Sequence, residues 1–393
     1  MSRLSPRRLP AQVALFRGDT RRTGRSPWRI PRRRPHVRWR FVTGRSVVAS
    51  PVVDARGDVY AASLDGNVYA LTASGVLRWK HRVGASIFST PAITPSGLVV
   101  GADDEIVRSL DLRDGHMRWR FRVGPCPHLP GMGMDSVRCQ VDSSPLVARG
   151  IVYVAADALY ALDVSTGRLR WRAPLPGHAF ASPALASDGT LVLGTKALAI
   201  MAFDGAKDGA PRWTKRGRYN CDTAPAIAPK GILTRRRGDG QGRSPADLPS
   251  RALHRGPVAY VGCDDGHLYA IEVRTGREIW RVATRRRIAS SAAIGPRGRI
   301  YFGSDDGRLR VVSPEGKLVW SFATAAAIHA SPLVDVSGSV VFGSRDDHLY
   351  ALDASGRLLW KVRLGGDVDA SVALRRDQTL IVGCDDGGVY ALR

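Results

Sequence analysis

Three carboxylates, one imidazole and two phenyl rings recur at a single position of a repeated segment. Val48, Phe88, Asp142, Phe180, Asp222, Ala289, His329 and Asp369 each stand two residues before a similar start: Ser50-Pro51, Thr90-Pro91, Ser144-Pro145, Ser182-Pro183, Ala224-Pro225, Ser291-Ala292, Ser331-Pro332 and Ser371-Val372. If those starts converge, Asp142, Asp222, His329 and Asp369 face one space, with Phe88 and Phe180 beside them. Such a set can hold a cation or a small polar ligand. The plain alternative is the polar lining of a wet channel. No Ser-His-Asp set or paired-carboxylate set stands out elsewhere, so no catalytic residue is assigned.

The elements that would bring these residues together are read from tryptophan. Trp39, Trp79, Trp119, Trp171, Trp213, Trp280, Trp320 and Trp360 close eight similar units, mostly forty residues apart. Each unit carries four short runs rich in β-branched and aromatic residues, separated by Gly, Asp and Ser turns, as in Ser331 to Val362. A unit that small cannot bury its own apolar face and must stack on its neighbours. The expected fold is all-β: an eight-bladed β-propeller of four-stranded antiparallel blades. The last unit stops at Arg393, before a fourth strand, while His36 to Phe41 is a fourth strand without the first three. The strand around Trp39 is therefore expected to complete the last blade and close the ring.

Ala161 to Trp171, Ala270 to Trp280 and Ala351 to Trp360 resemble the tryptophan-docking motif of the pyrroloquinoline-quinone-like (PQQ-like) repeat family, Ala-x-Asp-x-x-(Thr/Ser)-Gly-x-x-x-Trp. Phe16 to Gly24 resembles the segment that often precedes its first blade. The resemblance implies that the eight tryptophans are structural and pack between blades. Blade number and motif are closer to the outer-membrane β-barrel assembly scaffolds of the family than to its quinoprotein dehydrogenases. Those enzymes carry an adjacent Cys-Cys pair over the cofactor, which this chain lacks, so neither PQQ nor Ca²⁺ is expected as a cofactor. Two units depart from the motif, at Asp204 to Gly209 and at Val311 to Pro314, where weaker docking is expected.

A formal charge of +24 and pI near 10.8 invite a nucleic-acid or anionic-membrane reading. The charge is uneven. Residues 1–40 contribute about +12 and residues 230–256 about +5. Residues 1–35 are expected to be a basic, disordered leader, and 36–393 a single propeller with insertions at about 123–142 and 229–257. Arg32-Arg33-Arg34 and Arg235-Arg236-Arg237 read as solvated runs more than as nucleic-acid arms, since no aromatic-interleaved platform accompanies them. The turns between second and third strands form an acidic collar, from Asp65 to Asp386. The opposite rim is basic at Arg56, Arg113, Arg168, Arg274, Arg277, Arg297 and Arg357, so the two faces should differ in charge.

Of five cysteines, Cys263 and Cys384 share a repeat position in blades that do not adjoin and cannot bond each other. Cys126 and Cys139, with His128 and Asp135 between them, fit a loop disulfide or a metal site, though no common zinc spacing; no metal site is assigned. No secretory core or transmembrane span follows the basic start, which reads as cytoplasmic, or periplasmic if the true start lies upstream. A bacterial, monomeric protein is expected. Its expected function is a non-catalytic scaffold offering its loop-lined rims to an unidentified protein partner. The alternatives are a small-ligand or cation sensor using the funnel and, less favoured, a PQQ-dependent dehydrogenase or nucleic-acid binding through the Arg-rich arm.

Overall fold

The computed structural model describes residues 14–124, 140–217, 219–228 and 256–393. Its 32 strands form eight four-stranded antiparallel sheets arranged as a propeller. Innermost strands begin two residues after the Ser-Pro-type starts, at Val52, Ala92, Leu146, Ala184, Ala226, Ala293, Leu333 and Ala373. Second and third strands are buried on both faces, as in Val59–Ala62 and Asn67–Leu71, and read as apolar runs. Outer strands alternate: Leu77–Arg82 turns Trp79 and His81 inward and its charged residues outward.

The last blade is split in sequence. Strand β1 (Val37–Val42) pairs with β32 (Gly388–Leu392), with Trp39 opposite Ala391 and Phe41 opposite Val389. His36 and Arg393 exchange both backbone hydrogen bonds, at 3.0 and 2.9 Å. Strand β1 thus supplies the fourth strand of the last blade and closes the ring.

Seven of the tryptophans lie on the last turn of the next blade, against a glycine with positive φ. At Gly75 (φ +86°) a Cβ would come within 2.5 Å of the Trp39 ring, so only glycine fits there. The indole N–H then bonds a carbonyl of the same turn, as from Trp39 to Ala73 and from Trp79 to Leu112, both at 3.1 Å. Of the two departures from the motif, Pro314 still accepts from Trp280 at 2.8 Å, whereas Trp171, facing the stretched turn at Asp204 to Gly209, makes no such bond among the described residues. Trp360 has no continuous turn to meet, because the last blade is split. Pro31 of the leader supplies the carbonyl instead, at 2.7 Å.

That contact is part of a correction. Over residues 14–35 the leader is not a free tail. It crosses the end of the central channel and bonds the first strands of successive blades: Ala14 with Ile93, Thr20 with Leu185, Arg21 with Ile227, Thr23 with Ile294 and Gly24 with Val334. Asp19 fixes the turn by accepting from the Arg21 and Thr23 amides and the Thr23 hydroxyl. Arg22 is fully buried, and its guanidinium donates to carbonyls of Phe16, Ser144, Pro145 and Pro183 at 2.8 to 3.1 Å. Burial lowers its pKa to about 9, which leaves it charged at neutral pH. Composition misled here because an arginine with five donors can satisfy inner-strand carbonyls that the narrow end of a ring leaves unpaired. The proposed insertion 229–257 falls mostly outside the described residues, as do Cys126, Cys139 and residues 125–139.

Candidate functional site

Seven of the eight inner strands are preceded by a hydroxyl that reaches the neighbouring blade. Backbone N–H groups of Ser50, Thr90, Ser144, Ala224, Ser291, Ser331 and Ser371 donate to the hydroxyls of Thr90, Ser144, Ser182, Ser291, Ser331, Ser371 and Ser50, at 2.8 to 3.2 Å. The circle is open only between Ser182 and Ala224, where alanine has no hydroxyl to offer. The same register aims the residues two places earlier into one cavity of about 200 Å³. Val48, Phe88, Asp142, Phe180, Asp222, Ala289, His329 and Asp369 all line it, with Phe16 of the leader among the lining residues. With the leader bonded across the other end, the channel is a blind funnel.

A second circle stands above the first, from one residue in seven of the eight turns between second and third strands: Leu64, Asp103, Lys196, Asp264, Asp305, Arg345 and Asp385, each bonded through its amide to the adjacent loop. Lys196, Arg345 and the loop residue Arg287 were missed in the sequence, although Lys196 and Arg345 share a repeat position with the aspartates. They divide the funnel. On one side charges are matched: Arg287 holds Asp305 at 2.6 Å, His329 Nε2 lies 2.8 Å from Asp305 and Arg345 reaches Asp369 at 2.6 Å. Burial works against the Asp305 carboxylate, but the hydrogen bonds from His329 and Arg287 outweigh it and hold its pKa below the usual range.

On the other side acids exceed cations. Lys196 rests 3.8 Å above the Phe180 ring and is the counterion for both Asp142 and Asp222. Burial, then the neighbouring Asp103, pushes Asp142 up to about 7. Burial also raises Asp222 to about 6 despite Lys196. Asp142 Oδ1 and Asp222 Oδ1 are buried with no hydrogen-bond partner among the described residues. The folded state therefore binds the Asp142 proton more tightly than the unfolded chain, and stability falls as pH rises from about 4 to about 7. Asp142→Asn is expected to stabilise the protein at pH 8 by on the order of 3 kcal/mol and to change little at pH 4. Thermal melts at the two pH values check this; equal shifts would remove Asp142 as the source.

The collar aspartates at the second turn position do structural work. Asp65 accepts from the Gly44 and Asn67 amides and the Tyr69 hydroxyl, and Asp346 from Ala325, His348 and Tyr350. Among the described residues no group of three or more metal-binding side chains is assembled, and no helix is long and apolar enough to cross a membrane.

One cysteine pairing went unforeseen. Cys263 bonds Cys221, on the loop that carries Asp222. Cys384 occupies the same place in the last blade but stays free and buried, because its loop carries Val368 where Cys221 would be. The bond joins two different positions of the repeat, the loop entering the fifth blade and a turn within it, which a comparison of equivalent positions does not display.

The family described as outer membrane protein assembly factor BamB matches residues 19–141, 133–233 and 264–393. Over 172 residues, 42% of its length, the chain is 30% identical to the serine/threonine-protein kinase AfsK of Streptomyces griseus, of which it spans only 18%. Among solved structures it is similar to the quinohemoprotein alcohol dehydrogenase of Comamonas testosteroni, with TM-score 0.76 and 15% identity over 96% of this chain and 80% of that one. It is also similar to BamB of Moraxella catarrhalis, with TM-score 0.67 and 17% identity over 91% and 99%. These structural likenesses speak for the fold alone. The wall of the funnel presents Asp142, Asp222 and Asp369, with Arg287 and Arg345 engaged by Asp305 and Asp369.

Proposed function

We propose that this chain, which belongs to the PQQ-like family described as outer membrane protein assembly factor BamB, is a non-catalytic scaffold that engages a protein partner through its funnel face. The observation that carries the reading is the rigidity of that face. Thr43, Thr284 and Thr324 repeat one clamp, each hydroxyl lying within 3.0 Å of a carbonyl two residues on and of a turn carbonyl, at Gly387, Gly266 and Gly307. Ser63 and Ser304 brace the same loops from the turn side. A surface held in this way needs little ordering on binding.

Elsewhere on the same face Phe88 (43% exposed) and Tyr219 (52% exposed) stand out to solvent, among the acidic groups of the second through fifth blades. Exposed aromatics on a fixed acidic relief suit a partner segment that is basic and partly apolar. The buried Cys221–Cys263 bond supports a working place in an oxidising compartment rather than in the cytoplasm. Affinity capture with the intact ring tests the scaffold. A partner retained by the wild type should bind the Phe88→Ala, Tyr219→Ala double variant on the order of thirtyfold or more weakly, with the melting temperature unchanged. Equal retention by both would end this reading.

A further inference from the structure

The leader arginines come to rest at a place that the scaffold reading does not use. Residues 32–35 bridge two fixed points. Before them the Ile30 amide donates to Asp335 at 2.9 Å and Pro31 accepts from Trp360; after them His36 is locked to Arg393. Arg33 and Arg34 are thereby held beside Arg376 and Arg393, on the face opposite the funnel. The four arginines line a cleft of about 450 Å³ together with Gln378 and Asp377. Asp377, the single acidic side chain of that lining, is already shared between Arg375 and Arg393, at 3.5 and 3.6 Å. Among the described residues no carboxylate pairs with Arg33, Arg34 or Arg376.

Pinned like charges repel, and among the described residues no acidic side chain offsets that cost for these three. A flexible tail would simply spread such charges apart. We propose that the cleft is a binding site for phosphate groups. Guanidinium forks match phosphate oxygens two at a time, and a site already assembled spends little entropy in holding them. Trp28, 39% exposed with the Arg376 guanidinium 5.8 Å above its ring, stands beside the cleft as an aromatic of the kind found at membrane interfaces. The phosphate belongs either to a phospholipid headgroup or to a free phosphate compound, and two measurements separate these sources.

The full-length chain is sedimented with phosphatidylglycerol-containing vesicles and titrated calorimetrically with pyrophosphate. Binding to vesicles alone assigns the headgroup, and binding to pyrophosphate assigns a soluble phosphate. In either case the Arg33→Gln, Arg34→Gln, Arg376→Gln triple variant should bind on the order of a hundredfold more weakly. All three side chains are exposed, so its melting temperature should match the wild type. A control triple variant of other exposed arginines on the same face, Arg168→Gln, Arg274→Gln and Arg297→Gln, should bind as the wild type does. Silence in both arms, equal loss in the two triple variants, or a DNA duplex bound more tightly than either probe would overturn the proposal.

Discussion

Removal of residues 1–42 is expected to cost most of the stability of the ring. Strand β1 covers the outer edge of the last blade, and its Trp39 and Phe41 pack toward the first, where Phe41 meets Tyr69 with ring centroids 5.3 Å apart. Losing two such aromatics costs roughly 2 kcal/mol each, and the exposed edge of β32 becomes a template for another chain. The aromatics alone come to about 4 kcal/mol, to which the lost β1–β32 backbone bonds add, against a typical total of roughly 5–15. Calorimetry should show a much lower or absent transition, and size-exclusion chromatography should show self-association. Removal of residues 1–35 keeps β1 but takes Arg22 and Pro31, and should fall in between. A truncation at 35 that melts like the wild type would return the leader to the status of a dispensable tail.

Arg22→Ala is expected to act nearly as strongly for a single change. The guanidinium serves four carbonyls from the third and fourth blades and from the leader itself. Without it those acceptors face a cavity, at about 1 kcal/mol or more apiece plus the cavity itself, for a loss of about 4–5 kcal/mol. Arg22→Lys should recover little, since one ammonium cannot span acceptors that lie around a planar fork. Chemical denaturation reads both variants. A loss under about 1 kcal/mol in Arg22→Ala would mean that the leader is held by its backbone bonds alone.

These two expectations mark where the sequence was legible. The Ser-Pro starts repeat because an inner hydroxyl must reach the next blade, so the phase of the repeat also told which residues share the funnel. Asp142, Asp222, His329 and Asp369 were therefore visible in advance. Their partners were harder to see. Lys196, Arg287 and Arg345 come from a different turn or loop position, and a charge pattern at one position says nothing of the ring above it. Arg22 was hidden for another reason: in a stretch so rich in arginine, the one that is buried is distinguished only by what it touches. Cys221 and Cys263 join unlike positions, a pairing that repeat alignment does not display.

The open link between Ser182 and Ala224 gains meaning beside that disulfide. A closed propeller is a hoop, and a hoop fails first at its thinnest joint. At this joint, between the fourth and fifth blades, the lacing of hydroxyls is missing, although Trp213 still donates to the Val273 carbonyl across it at 2.7 Å. Cys221, whose amide bonds Thr195 of the fourth blade, is tied through sulfur to Cys263 of the fifth. A covalent bond thus stands at the one seam where the circle of inner hydroxyls is interrupted, and two electrons from a thiol reductant would open it to a pair of thiols.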